Sequence, residues 1–178
     1  MILAQPTLLS INRSNGGIPK LPVTRATVSH AGIAGDAHDH EKHNRPEQAI
    51  CLHDVERMKE LFREGFPLVP GAIGENFTVS KLNAQALPIG TRLLFEGGLE
   101  LEITKVRKPC FVLDAIDPQL KVSIQNRCGV YARVITPGEV TVGAAIHCLP
   151  PAGHTDAPNI EIVDRRTSRF EAHPEPAE

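Results

Sequence analysis

The segment ITKVRKPCFVLD, residues 103–114, places a cysteine directly after a proline. Three cationic residues precede this cysteine in the sequence: Lys105, Arg107 and Lys108. Nearby positive charge favours the thiolate, the form of cysteine that acts as a nucleophile and as a ligand for soft metals. Because Pro109 removes a backbone donor, we expect a strand to leave its ladder here and present Cys110 to a cavity. The alternative is that Cys110 is a small apolar residue of the core.

A second group of potential ligands lies in GIAGDAHDHEKHNRP, residues 32–46, which contains Asp36, His38, His40 and His43. Imidazole suits zinc, iron or copper. The spacing H-x-H-x-K-H is one substitution from the H-x-H-x-D-H of metallo-β-lactamase-type zinc hydrolases. Lys42 stands at the position of the second-metal aspartate, and a cation there opposes a second divalent ion. The pattern therefore allows a mononuclear zinc hydrolase, or a polar loop with surface hydrogen bonds.

Two glycine-rich segments, SNGGIPK at 14–20 and PGAIGENF at 70–77, allow the backbone to approach a ligand closely. Their amide groups could meet anionic oxygens, and Lys20 adds a positive charge suited to phosphate. In NRCGVYARVI, residues 126–135, three further side chains could reach a cavity: Arg127, Tyr131 and Arg133.

The length, net charge and aromatic content of the chain exclude some classes of function. The chain has 178 residues, a formal charge of −2, one Tyr and no Trp, so it lacks both the field and the stacking surfaces expected for nucleic-acid binding. The N-terminal segment has no charged start typical of a signal peptide, and no apolar run is long enough to span a bilayer. We therefore expect a cytoplasmic protein with reduced thiols. The composition predicts one domain over 1–149 and a flexible tail over 150–178.

Strand patterns dominate this domain. TRLLFEGGLELEITKV predicts a hairpin around Gly97-Gly98, and VYARVITPGEVTVG predicts another around a type II turn at Pro137-Gly138. DVERMKELFREG predicts a helix closed by Gly65, with Val55, Met58, Leu61 and Phe62 on one face. DPQLKVSIQNRCG predicts a second helix, capped by Asp117 and closed by Gly129. The fold class is therefore β-rich and mainly antiparallel, barrel-like or sandwich-like, with a few peripheral helices.

Taken in order, these segments resemble the MOSC domain, which forms the carboxyl end of molybdenum cofactor sulfurases and also occurs as stand-alone bacterial proteins. The matching segments are GGIPK, GIAGDAHDHEKH, RPEQAICLHDVE, PGAIGENFTV, LPIGTRLLFE, LEITKVRKPC and GVYARVITPGEVTVG. Each is modest alone, but they follow one another over roughly 130 residues.

The resemblance implies a β-barrel-like fold and assigns Cys110 as the residue that carries sulfur or ligates molybdenum. It implies that further residues bind the molybdenum cofactor, molybdopterin: Lys20, Asp36, His38, His43, Arg45, Asn76, Arg107 and Arg133. The resemblance also implies that the histidines line the pocket or order the loop, and that they do not form a zinc site. Stand-alone relatives are associated with reduction of N-hydroxylated compounds.

Two departures from the family pattern stand out. Asn44-Arg45 replaces two glycines before Pro46, and Arg45 could itself grip an anion. Cys128 occupies a position often filled by a small residue, so we interpret its thiol as incidental. Since neither a pyridoxal-phosphate desulfurase domain nor an iron–sulfur motif is recognisable, we expect a separate sulfur donor or electron-transfer protein as partner. Pyridoxal phosphate would enter only through such a desulfurase. The remaining alternatives are a non-catalytic module that stores or transfers the cofactor, the mononuclear zinc hydrolase, and an interaction domain without a small ligand.

Overall fold

The computed structural model describes residues 5–37 and 45–151. Its strands are Thr7–Arg13 (β1), Leu21–Val23 (β2), Arg25–Ser29 (β3), Gly32–Ile33 (β4), Ile50–Asp54 (β5), Phe77–Ser80 (β6), Arg92–Phe95 (β7), Glu100–Val106 (β8), Val130–Thr136 (β9), Gly138–Thr141 (β10) and Ile146–Leu149 (β11). Its α-helices are Val55–Arg63 (α1) and Leu120–Ser123 (α2), and short 3₁₀ turns lie at Pro46–Gln48, Ala84–Ala86 and Phe111–Ala115. The predicted β-rich class with few helices is confirmed.

The strands form two sheets. The larger has the order β11-β7-β8-β9-β5-β6-β1-β2, and the smaller has the order β10-β3-β4. All pairings among these strands are antiparallel except β5 with β6. An isolated bridge between Thr7 and Ala145 brings β1 back toward β11. The large sheet therefore curls like a barrel, but within the described ranges no ladder closes it.

Two apolar clusters hold this arrangement together. The larger lies between the sheets and includes a tilted pair of rings, Phe77 and Phe95, whose centroids are 5.5 Å apart. The smaller cluster lies beside α1 and α2 and includes Ile73, Leu113 and Cys128. Because these three residues belong to the segments around the predicted site, the smaller cluster fixes those segments to one another.

Helix α1 begins and ends where the sequence predicts. Gly65 has φ 101° and donates to the Phe62 carbonyl, and Phe66 donates to the Leu61 carbonyl, which is the hydrogen-bond pattern of a Schellman cap. Met58 and Leu61 are buried as expected. Phe62, which the pattern places on the same apolar face, is instead 62% exposed. No helix in the described parts of the chain is long and apolar enough to cross a membrane.

The hairpin prediction for β7 and β8 is confirmed, since Gly97 and Gly98 have φ 100° and 96° and the two strands pair. The prediction for Pro137-Gly138 is wrong. Strand β10 pairs with β3 rather than with β9, and Gly138 does not adopt the positive φ that a type II turn requires. The chain changes sheets at this point, and a local pattern carries no information about such a change.

The second predicted helix is shorter than its pattern. The Asp117 carboxylate accepts a hydrogen bond from the Gln119 amide, but α2 begins only at Leu120, with Gln119 rather than Asp117 as its N-cap, and ends at Ser123. Asn126 then adopts φ 59°, which a helix cannot contain. The Arg127 carbonyl turns to His53, whose Nε2 lies 2.7 Å away. Tertiary contacts therefore replace the last helical turns.

Candidate functional site

A cavity of about 300 Å³ lies where the 14–20 loop, the 70–77 loop, β5, β9 and the segment after β8 meet. Its polar wall contains two cations, Lys20 and Arg107, two thiols, Cys51 and Cys110, and the Asn76 amide. The size is within the usual range for a small-molecule site. Four residues predicted from separate parts of the sequence, Lys20, Asn76, Arg107 and Cys110, therefore line one cavity.

Cys110 reaches the cavity because the chain leaves β8 before it. The strand ends at Val106, and Cys110 is extended, with φ −125° and ψ 171°, at the start of the 3₁₀ turn. Its carbonyl accepts a hydrogen bond from the Leu113 amide at 3.2 Å, and Leu113 is anchored in the smaller apolar cluster. The residue is half-buried and lines the cavity. It is therefore not a packed core residue.

Arg107 forms a buried wall of the cavity and is 8% exposed. Its Nη2 donates to the Ile73 carbonyl at 2.5 Å, whereas Nη1 is buried without a hydrogen-bond partner among the described residues. Burial alone opposes the charged guanidinium, but the pKa of Arg107 is raised overall because Cys51, Cys128, Tyr131 and Glu75 favour the cation once they are deprotonated. A buried guanidinium with an unused donor is a suitable partner for an anionic or oxygen-bearing ligand.

The second cation, Lys20, is neutralised within the protein. Its Nζ lies 2.6 and 2.5 Å from the two carboxylate oxygens of Asp36, and both side chains are buried. Asn76 donates to Asp36 at 2.8 Å, and the Ser14 amide donates to the same carboxylate at 2.9 Å. Asp36, which the resemblance assigns to cofactor binding, does not line the cavity and instead holds Lys20, Asn76 and the Ser14 amide together. Lys20 therefore contributes less net charge to the cavity than Arg107.

The 70–77 loop packs against the cavity through its glycines. Gly71 has φ 85° and accepts a hydrogen bond from the Lys20 amide, and a side chain at Gly71 would run into the Lys20 carbonyl. Gly74 has φ 84°, and a Cβ there would lie 2.9 Å from Ile18. Glu75 supports the loop from within, because it accepts hydrogen bonds from Gly71 and Thr78. Burial raises the pKa of Glu75.

Several predicted residues lie elsewhere. Arg133 does not line the cavity: its side chain is 52% exposed and donates to Glu102 at 2.7 Å. Arg127 binds Glu64 at 2.6 Å. Arg45 is exposed and does not line the cavity. Lys105 and Lys108 are exposed as well. Of the three cations that precede Cys110 in the sequence, only Arg107 therefore lines the cavity.

The histidines predicted to contribute, His38 and His43, lie outside the described residues together with His40. The same holds for the predicted tail from residue 152 onward. Within 5–37 and 45–151, no group of three or more His, Cys, Asp or Glu side chains could hold a metal ion.

Cys51 and Gln48 line the cavity although the sequence pattern reveals neither of them. Cys51 lies in β5, where every residue is buried, and no local feature distinguishes it from its apolar neighbours. The Cys51 backbone amide donates a hydrogen bond to Oδ1 of the Asn76 side chain at 3.1 Å. Burial raises the pKa of Cys51 to about 11, so it is a neutral thiol. Cys128 is fully buried, and burial raises its pKa too, which agrees with the interpretation of an incidental thiol.

Comparison with known proteins identifies the architecture. The sequence model of the MOSC domain matches residues 39–147. The structure is similar to YUAD from Bacillus subtilis, with a TM-score of 0.69, 19% identity, and coverage of 82% of this chain and 96% of that one. It is also similar to YiiM from Geobacillus stearothermophilus, with a TM-score of 0.66, 25% identity, and coverage of 81% and 75%. YiiM from Escherichia coli gives a TM-score of 0.65 at 20% identity, with coverage of 82% and 70%. No curated protein sequence gives a significant match.

Proposed function

The chain belongs to the MOSC domain family, and we propose that it is a molybdenum-cofactor protein in which the Cys110 thiolate ligates the metal or carries sulfur. MOSC domains are associated with molybdenum cofactor binding. The observation that carries the proposal is that Cys110 and Arg107 line the same cavity. A soft thiolate and a fixed guanidinium are what a thiophilic metal with an anionic organic ligand requires.

The residues present fit such a group. Arg107 offers a buried donor, Nη1, that no described residue uses. Gly17 and Gly74 line the cavity, and without side chains at these positions backbone amides can approach phosphate oxygens. Lys20 and Asn76 are held rigidly by Asp36, so they meet a ligand without further ordering. From the resemblance, His38 and His43 are proposed to complete the anion-binding side.

We favour an oxidoreductase that removes oxygen from N-hydroxylated compounds. When bound, the cofactor supplies the two-electron redox chemistry, and the electrons come from an electron-transfer protein. The reaction is R–NHOH + 2e⁻ + 2H⁺ → R–NH₂ + H₂O. The apolar side of the cavity, formed by Ile18, Ile73 and Phe111, suits the organic part of such a substrate.

Sulfur transfer is the second candidate, because Cys110 is half-buried rather than enclosed and a partner's persulfide could reach it. The Cys110 thiolate would attack the outer sulfur of a donor persulfide, R–S–SH, and form Cys110–S–SH while R–S⁻ leaves. Both candidates use the same sulfur atom and the same cationic wall. They differ in whether an organic substrate is turned over.

One experiment separates these functions. The protein is produced in a host that makes molybdenum cofactor, and wild type is compared with Cys110→Ser and with Cys148→Ser, which removes an exposed thiol on β11. We expect wild type and Cys148→Ser to reduce benzamidoxime with a chemical reductant, and Cys110→Ser to be inactive. Mass spectrometry after treatment with a cysteine persulfide tests the carrier function at Cys110. Cofactor binding with neither turnover nor persulfide indicates a storage module, and an active Cys110→Ser protein refutes both candidates.

A further inference from the structure

Tyr131 is the only tyrosine of the chain and lines the cavity that contains Cys110. It lies in the middle of β9, paired with Cys51 of β5 on one side and with Lys105 of β8 on the other. A residue held on both sides by sheet neighbours presents its side chain in a fixed direction. The phenol is therefore a rigid part of the cavity wall.

Tyr131 and Arg107 line the same cavity, and Arg107 acts to lower the pKa of the phenol against the larger opposing effect of burial. A guanidinium carries only donors, so it cannot accept the phenol proton. Nη1 of the same guanidinium is buried and has no partner within the part of the chain that the structure describes. Two residues of the cavity wall thus carry donors without a described partner, the phenol O–H of Tyr131 and Nη1 of Arg107, and a ligand oxygen is the complementary group.

We propose that Arg107 and Tyr131 together bind the oxygen atom of the substrate, and that Tyr131 donates the proton with which this oxygen leaves as water. This inference rests on the proposed reduction of N-hydroxylated compounds. As the N–O bond breaks, two electrons arrive from the electron-transfer partner, and the departing oxygen takes the Tyr131 proton. The nitrogen takes the second proton from solvent, which also reprotonates Tyr131.

The surroundings of Tyr131 suit this role. Burial raises the pKa of Tyr131 to about 12, so the phenol holds its proton until a strongly basic oxygen develops beside it. The cation of Arg107 then stabilises the phenolate that remains. General acids of this kind accelerate reactions by about 10²–10⁴-fold.

The oxygen site can be tested without cofactor, because a protein with one Tyr and no Trp has a tyrosine fluorescence signal from a single residue. The probe is acetohydroxamate, a small N-hydroxylated compound. We expect a saturable fluorescence change in wild type. The control is the double variant Tyr131→Phe, Phe62→Tyr, which moves the only tyrosine to an exposed position on α1, and we expect no saturable change there. No saturable change in wild type, or the same change in both proteins, overturns the oxygen site.

The proton-donor role is tested in the cofactor-loaded protein. We expect Tyr131→Phe to contain as much molybdenum as wild type while its kcat for benzamidoxime falls by about 10²–10⁴-fold. A fall below about threefold with equal molybdenum overturns the proton-donor role and leaves the proposed function intact. If loaded wild type shows no turnover, the proposed reduction and the proton-donor role both fail, and the acetohydroxamate titration alone decides the oxygen site.

Discussion

At the scale of single residues, the cavity divides its charges into a neutralised pair and one cation with an unused donor. Lys20 and Asp36 form a buried ion pair that Asn76 and Ser14 complete. Arg107 uses one nitrogen on the Ile73 carbonyl and keeps another without a partner among the described residues. The pair therefore fixes the geometry of the wall, whereas Arg107 supplies its electrostatic attraction.

This division predicts a large effect for Asp36→Ala. The substitution leaves the Lys20 ammonium buried without its carboxylate, and breaking a buried pair in this way costs about 3–5 kcal/mol. The control is Glu60→Ala, which removes the solvent-accessible pair with Arg57 and a longer contact of 3.8 Å with Arg127, and should cost less than about 1 kcal/mol. Urea unfolding of both variants measures the difference. Equal losses in the two variants would show that the Lys20–Asp36 pair does not hold the loop.

A second prediction concerns two adjacent buried groups. Burial lowers the pKa of His53 from 6.5 to about 4 and raises the pKa of Asp54 from 3.8 to about 6. The stability contribution of His53 is present above pH 6.5 and is lost as the pH falls toward about 4. The contribution of Asp54 is present below pH 3.8 and is lost as the pH rises through about 6.

The two groups therefore have opposite slopes over the same acidic window. Relative to wild type, His53→Gln should gain about 3 kcal/mol of stability as the pH falls from 6.5 to about 4. Asp54→Asn should gain about 3 kcal/mol relative to wild type as the pH rises from 3.8 to about 6. Urea unfolding across this window measures both differences. Parallel pH profiles for all three proteins would contradict the assignment.

At the scale of elements, the predictions succeed where the causes are local. Helix α1 and the β7–β8 hairpin follow from neighbouring residues and from glycines at Gly65, Gly97 and Gly98. Helix α2 falls short because Arg127 is drawn into contacts with His53 and Glu64, which are distant in sequence. The Pro137-Gly138 turn fails for the same reason, since the partner of β10 is β3.

The 70–77 loop gives a prediction at this scale. Gly71 and Gly65 both have positive φ, but only at Gly71 would a side chain meet other atoms, those of Lys20 and Asn12. Gly65→Ala should cost about 1–2 kcal/mol through the backbone alone. Gly71→Ala should cost about 1–3 kcal/mol more, because the loop must move away from Lys20. Thermal or urea unfolding compares them, and equal costs would show that the close approach is unimportant.

At the scale of the whole molecule, the site exists because the large sheet places β9 between β8 and β5. That order brings Arg107, Tyr131 and Cys51 to one cavity, although Cys51 and Tyr131 are 80 positions apart in the sequence. The residue types of the site were recognisable through motifs, so Lys20, Asn76, Arg107 and Cys110 could be named in advance. The residues that lie beside them in space could not be predicted, because the pairing of distant strands determines these contacts. Arg133 lies opposite Glu102, and Cys51 lies opposite Tyr131.

The measurement that tests the central claim most directly is the molybdenum content of the purified protein, with Cys148→Ser as the matched control for loss of a thiol. Wild type and Cys148→Ser should contain about one molybdenum per chain, and Cys110→Ser should contain almost none, because the metal would lose its protein ligand. Circular dichroism confirms that all three are folded. A folded Cys110→Ser protein with the same molybdenum content as wild type would contradict the assignment of Cys110 as the protein ligand of the metal.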